Sequence, residues 1–465
     1  SSKCRDRANK PAPQTKTPPV TGGVFLRMSQ PIDLLIEPRW LIPIEPHGVV
    51  LEGQAVAVSG GEIAAVLPAQ EAQLRFRPAR RIVLPGHVLI PGLVNLHTHA
   101  AMTLLRGIAD DLALMDWLKT RIWPAETRHV SAAFVRDGTL LACAEMLRGG
   151  ITCFNDMYFF PAAAAEAARN LGMRAALGMV VIEFPTAYAS DADDYISKGL
   201  AMRDRLRGDP LLSFCMAPHA PYTVSDATLE RVVTLAAQLD LPIHIHIHET
   251  RAEIEDSLRL HGLRPLERLH RLGILGPGLI GVHAAHLEAD EIRLLAKFDC
   301  SIAHCPSSNM KLGSGIAPIV AMLEQGLRIG LGTDGAASNN RLDIFQEMRQ
   351  SALLAKAVSG NAAAVGAHDV LRMATLNGAA ALGLADKIGS IRTGKAADMC
   401  AVCLDTLETR PCYDPASHLV YAAGREHVSH VWVNGVLRVE NGLLQGCDTS
   451  QLLDTVNLWQ NKLTA

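Results

Sequence analysis

Two histidines stand two residues apart in Val94-Asn95-Leu96-His97-Thr98-His99, directly behind the turn pair Pro91-Gly92. An apolar run that ends this way reads as a buried strand. Strand side chains alternate between faces, so His97 and His99 point the same way and make half of a metal site. A lone His-x-His fits equally well two histidines hydrogen-bonded in a polar pocket, so the rest of the chain decides. Ile243-His244-Ile245-His246-Ile247-His248-Glu249 places three more histidines on one strand face. Period does not choose among them, but depth sets His244 aside as a structural histidine, far from the C-terminal end of the strand. Glu249 falls just past that strand, where a carboxylate can lean over a metal and work as a general acid/base. Gly332-Thr333-Asp334-Gly335 ends another apolar run in a carboxylate, and Val282-His283-Ala284-Ala285-His286 and Pro218-His219 end two more in imidazoles. Singly these are a turn aspartate and core histidines. Jointly, at successive strand ends, packing does not explain them.

The elements that must position these groups alternate apolar strand-like runs with Ala/Leu/Glu/Arg-rich helical stretches, the pattern of parallel strands with crossover helices. Eight strands are predicted: Leu93–His99, Ile151–Met157, Arg174–Val181, Leu211–His219, Pro242–His248, Leu279–His286, Cys300–Cys305 and Arg328–Gly335. Eight such units predict a (β/α)8 TIM-like barrel, whose reacting groups gather at the C-terminal strand ends. Short strands with turn residues fill residues 32–90, and the same texture returns at Ala397–Leu404 and around Asn434-Gly435, a two-residue hairpin signal. The two ends are therefore expected to form one small, antiparallel β-sandwich domain. The predicted organisation is a disordered extension or tag at 1–27, with Met28 a natural start; sandwich at 28–90; barrel at 91–385; sandwich again at 386–448; and a C-terminal helix at 449–465.

With 49% hydrophobic and 20% charged residues and a net charge of -3, the chain has the composition of a globular protein and no basic field for nucleic acid. A small-molecule partner is the default. No apolar stretch reaches the length of a membrane span, and the start of the sequence lacks an apolar signal core. The ten cysteines are scattered without regular spacing, which suits reduced thiols in a cytoplasmic protein. Cys400-x-x-Cys403 lies in an apolar strand-like run with no second pair to complete a zinc ribbon.

A ligand set of imidazoles with one carboxylate suits Zn2+, and would also accept Fe2+ or Mn2+. Four protein ligands plus water imply a five-coordinate centre. The fourth strand ends in His219 with no bridging lysine, so one metal per subunit is expected.

Pro91 to His99, His246-x-x-Glu249 and Leu331-Gly332-Thr333-Asp334-Gly335 together resemble the amidohydrolase superfamily, and Gly389 to Asp398 resembles its return into the small sheet. More narrowly, the chain resembles the 5-methylthioadenosine/S-adenosylhomocysteine deaminases over residues 32–445. The local matches are Trp117-Leu118 with Ile122-Trp123-Pro124-Ala125-Glu126, Ala217 to Tyr222, Pro306 to Gly313 and Asp334 to Asn340. The resemblance implies zinc held by His97, His99, His246 and Asp334, proton transfers at Glu249 and His283, and a nucleoside's ribose held by Glu126 and His219. Deamination at C6 of adenine needs N1 protonated as water attacks. Glu249 would move that proton, Asp334 would orient the water, and His283 would stabilise the developing oxyanion. Trp117, Leu118, Met102 and Met115 would supply an apolar wall for a methylthio group.

The implied reaction is hydrolytic deamination of 5'-methylthioadenosine to 5'-methylthioinosine and ammonia, with adenosine or S-adenosylhomocysteine as weaker substrates, in a homo-oligomer, dimer or tetramer. One departure supports that order: the arginine expected near the end of the third strand for an amino-acid carboxylate is missing, since Arg174 sits at the strand start. The alternatives are a guanine- or pterin-type deaminase, a triazine-type chlorohydrolase, a non-catalytic barrel scaffold, and a cyclic-amide hydrolase, which the absent bridging lysine disfavours.

Overall fold

A computed structural model describes residues 29–464; the extension expected at 1–27 lies outside them. Eight parallel strands form the predicted barrel sheet in sequential order: Leu93–Thr98, Ile151–Asp156, Arg174–Val181, Leu212–Pro218, Ile243–Ile247, Leu279–His283, Ser301–His304 and Arg328–Leu331. Arg174–Val181 ends as predicted, and the other seven end one to four residues earlier than the apolar runs suggested. His99, His219, Glu249 and Asp334 therefore sit on the connections that leave the strands, where the backbone can turn them over the barrel mouth.

The strand ladder stops at the first and eighth strands, and hydrogen bonds close that seam. The Asp334 N–H donates to the His97 carbonyl at 3.0 Å. The Asn95 amide donates to Thr333 Oγ1 at 2.7 Å and accepts from the Thr333 N–H at 3.0 Å. A buried asparagine within an apolar strand is thus satisfied on both sides, as burial demands.

The chain ends combine in a nine-stranded sheet in which Gln30–Leu41, Gln54–Ser59, Glu62–Pro68 and Phe76–Pro91 join Met399–Cys403, Val428–Val433 and Val436–Glu440. Strict alternation over Glu62–Pro68 explains its one-sided burial. Asn434 and Gly435 take φ of 51° and 75°, as a two-residue hairpin turn requires. Cys400 and Cys403 lie in the strand Met399–Cys403. The sheet differs from expectation in one respect: Gln30–Leu41 pairs in parallel with Phe76–Pro91, so it is mixed instead of wholly antiparallel.

Arg174 fastens the two parts together. Only 2% exposed at the base of the third barrel strand, it pairs with Asp398 at 3.0 Å and donates to the Pro210 carbonyl. Asp398 in turn accepts from the Asn434 N–H at 2.8 Å. The C-terminal helix Thr449–Thr464 lies on the helix Ala132–Arg148, where the Trp459 indole donates to Asp137 at 2.9 Å.

Candidate active site

His97 and His99 share a face at the end of the first barrel strand, and the fifth strand brings His246 to the same point. The Nε2 atoms of His97 and His246 are 3.3 Å apart. Asp334 Oδ1 lies 3.2 Å from His97 Nε2 and 3.3 Å from His99 Nε2. Donors 2.0–2.1 Å from a tetrahedral zinc stand about 3.4 Å from one another, so the span fits one Zn2+.

The other nitrogen of each ring is occupied. His97 Nδ1 faces His244 Nε2 at 3.0 Å, His99 Nδ1 faces the Met157 carbonyl at 2.5 Å, and His246 Nδ1 faces the His219 carbonyl at 2.7 Å. With Nδ1–H donating outward, each Nε2 lone pair is left facing the common point, the arrangement that metal-binding histidines adopt. Burial pushes the His97 pKa down to about 4, so it is neutral at physiological pH. Burial opposes ionisation of Asp334, but the His97 hydrogen bond and the neighbouring imidazoles hold it well below the usual carboxylate range. Its second oxygen accepts from Ser308 at 2.6 Å and Ser338 at 2.8 Å.

Glu249 stands beside the cluster without joining it. Its Oε2 is 3.8 Å from His283 Nε2, and Ser314 reaches Oε1 at 3.4 Å. Burial, helped by the charge of Asp334, raises its pKa above the usual carboxylate range. Glu253, one helical turn on, accepts from the backbone N–H groups of His248 at 3.0 Å and Glu249 at 2.8 Å and so fixes the carboxyl-bearing turn. His283 Nδ1 lies 2.8 Å from Asn309 Oδ1; that contact selects the Nδ1–H tautomer and presents Nε2 to the cavity. His248, His283 and Asp334 all take left-handed φ (49°, 70° and 61°), a conformation that costs about 1–3 kcal/mol each and gathers at functional sites.

Above these groups opens a cavity of about 650 Å³ whose lining includes His99, His219, His246, Glu249, His283 and Asp334. Its outer wall is apolar: Met102, Leu114, Trp117, Leu118, Phe159, Val180, Ile182 and Phe184. The expected wall residue Met115 is not part of the lining; its neighbour Leu114 is. Glu126 faces the cavity from the helix Trp123–His129. The Tyr158 hydroxyl donates to its Oε1 at 2.6 Å, and burial raises its pKa to about 6. His219 is steadied by Thr223 at 3.0 Å, and burial lowers its pKa to about 3. Among the described residues that line the cavity, none is Arg or Lys.

Sequence reasoning missed Tyr158, Glu253, Ser314 and the serines on Asp334. Ser308 and Ser338 lay within matched segments, whereas nothing local marks the other three.

Residues 88–438 match the amidohydrolase family. The chain is 45% identical over 434 residues to a 5-methylthioadenosine/S-adenosylhomocysteine deaminase of Teredinibacter turnerae, covering 93% of this chain and 98% of that one. It is 44% identical to one of Saccharophagus degradans, covering 94% and 98%. Among solved structures it is similar to a zinc-bound adenosine deaminase of Xanthomonas campestris, with 51% identity, TM-score 0.93 and coverage of 94% and 99%. A zinc-complexed atrazine chlorohydrolase of Arthrobacter aurescens follows at 25% identity, TM-score 0.85 and coverage of 92% and 100%.

Proposed function

The chain belongs to the amidohydrolase family and, within it, to the 5-methylthioadenosine/S-adenosylhomocysteine deaminases; from that premise we propose that it hydrolytically deaminates adenine nucleosides at C6. Its foremost substrate is 5'-methylthioadenosine, converted to 5'-methylthioinosine and ammonia, with adenosine or S-adenosylhomocysteine weaker. Support for the reaction comes from one observation above all: Glu249 and His283 face each other beside the converged nitrogens and carboxylate, at the floor of a cavity sized for a nucleoside.

His97, His99, His246 and Asp334 would hold one Zn2+. Zinc bound there supplies a water whose pKa is lowered to about 7. Glu249, with its raised pKa, takes a proton from the attacking water and delivers it to adenine N1; the water's second proton goes to the amino group as the C6–N6 bond breaks and ammonia leaves. Asp334, its far oxygen tied by Ser308 and Ser338, directs Oδ1 at the water and fixes its approach to C6. His283 presents Nε2 as an acceptor or, once protonated, as a cation beside the developing oxyanion. Glu126 accepts from ribose hydroxyls, mainly with the oxygen that Tyr158 leaves free, and His219 stands beside it. Trp117 and Leu118 pack on the 5' substituent.

The apolar wall supports the substrate order. A homocysteine tail carries an ammonium and a carboxylate, and an unpaired polar group buried there costs about 1–3 kcal/mol. S-Adenosylhomocysteine should therefore show kcat/KM about 10- to 100-fold below that of methylthioadenosine. An ammonia-release assay on methylthioadenosine, adenosine and S-adenosylhomocysteine, run beside zinc analysis, tests both levels. Comparable turnover of the first and third overturns the substrate order, and silence with every nucleoside overturns the activity.

The reading extends to a homo-oligomer, dimer or tetramer, in the cytoplasm. Free thiols at Cys143, Cys153 and Cys215 suit a reducing compartment, and no helix among the described residues is long and apolar enough to cross a membrane.

A further inference from the structure

Glu347, in the helix Ile344–Ser359, is fully buried and lies behind the site, not in it. Its carboxyl group joins two short helices. On one side Oε2 accepts from the Ser307 N–H at 3.1 Å, and Oε1 meets Ser307 Oγ at 2.5 Å. On the other, Oε1 accepts from the Asn339 amide at 2.8 Å.

Ser307 belongs to Pro306–Lys311 and Asn339 to Ala336–Asn339. Helices so short do not hold their own conformation, because nucleation costs more than one turn of hydrogen bonds returns. Yet they carry what fixes the site. From the first, Ser308 donates to Asp334 and Asn309 accepts from His283. From the second, Ser338 donates to Asp334, while the Asn339 amide also reaches the Thr333 carbonyl at 2.7 Å.

Hydrogen accounting gives the form of the acid. Ser307 Oγ has one proton and touches Gln350 Oε1 at 2.6 Å as well as Glu347, while the Gln346 amide donates to it at 3.1 Å. Every contact is satisfied if Glu347 is a neutral acid donating to Ser307, which then donates to Gln350. Burial agrees, raising the Glu347 pKa to about 8.

We propose that Glu347 is a positioning residue for turnover: it fastens the helices that carry Ser308 and Ser338, and through them sets the carboxylate of Asp334. The assay arm rests on the deaminase reading; a zinc-release arm does not.

Glu347→Gln keeps a donor for Ser307 but sets an amide NH2 against the Asn339 amide. Ser307→Ala removes the hydroxyl contact and keeps the backbone one, at a smaller risk to folding. In the full zinc-loaded protein, either variant should lower kcat with methylthioadenosine, Glu347→Gln by about 10- to 100-fold, with KM little changed and zinc lost faster to a chelator. Folded variants with unchanged kcat and unchanged zinc release, even if less heat-stable, overturn the proposal and leave Glu347 a packing residue. A wild-type protein silent on methylthioadenosine, adenosine and S-adenosylhomocysteine alike sinks the deaminase reading, and the zinc-release comparison still decides for or against Glu347.

Discussion

His244 offers a direct test of how the site is held. It is wholly buried below His97, and its Nε2 accepts the His97 Nδ1–H at 3.0 Å. Its own Nδ1 has no partner among the described residues. Leucine is similar in volume, so His244→Leu opens little cavity and even removes one orphaned polar atom. Global stability should change little. What is lost is the acceptor for His97. A buried N–H without a partner costs about 1–3 kcal/mol, and that cost applies only while His97 keeps Nε2 turned toward the metal position. Zinc affinity should therefore fall about 10- to 100-fold, the usual consequence of removing a partner behind a metal-binding histidine. Thermal unfolding of the chelator-treated protein reads the first quantity, and competition against a zinc indicator reads the second. His246→Ala, by contrast, removes a proposed ligand and should abolish tight zinc binding. If His244→Leu loses stability but binds zinc like the wild type, His244 is a packing histidine and the orienting argument fails.

Glu249→Gln preserves shape beside the cluster but removes the proton shuttle, so kcat should drop by about 10²–10⁴ with zinc content unchanged; retained turnover refutes the role. Glu126 titrates near 6 because burial raises it, and its carboxylate is a stronger acceptor for ribose hydroxyls than its neutral acid, mainly at the oxygen that Tyr158 leaves free. On acidification it gains a proton, so kcat/KM for nucleosides should fall as pH drops through about 6; a Glu126→Gln profile that retains this limb refutes the assignment.

The barrel was legible because its signals are local: each apolar run has a strand's length, several end in a polar residue, and alternation put His97 and His99 on one face of the first strand and His246, with His244 and His248, on one face of the fifth. What sequence could not supply is partnership across distance. Glu347 lies 40 positions from Ser307, and Asn95 lies 238 from Thr333, with nothing in either neighbourhood naming the other. His244 was read as structural from its depth alone; contact with His97 gives it an orienting part as well. Strand direction failed similarly. Hairpin texture in residues 32–90 implied neighbours running antiparallel, yet the helix Ala69–Arg75 returns the chain so that Phe76–Pro91 runs parallel to Gln30–Leu41. Leu114, not Met115, lines the cavity, from the short helix that the π-helical turn Leu118–Ile122 continues toward Glu126.

Closure of the barrel and assembly of the site are one event. Of the four proposed zinc ligands, one comes from the first strand, one from just beyond it and one from just beyond the eighth, the pair at which the strand ladder stops. The same residues that close this seam aim the donors: Asp334 gives its N–H to the His97 carbonyl, and its carboxylate then meets His97 and His99 from across the gap. Such placement needs Asp334 in a left-handed conformation, as it needs His283 and His248. Each would relax if free, and each is over-determined: Asp334 by Ser308 and Ser338, His283 by Asn309, and the turn at His248 by Glu253. The strain is thus sustained by buried polar groups outside the cavity. Substitutions at those groups should tell on turnover and zinc retention before they tell on the fold, because the barrel core is satisfied without them, whereas the geometry at the strand exits is not.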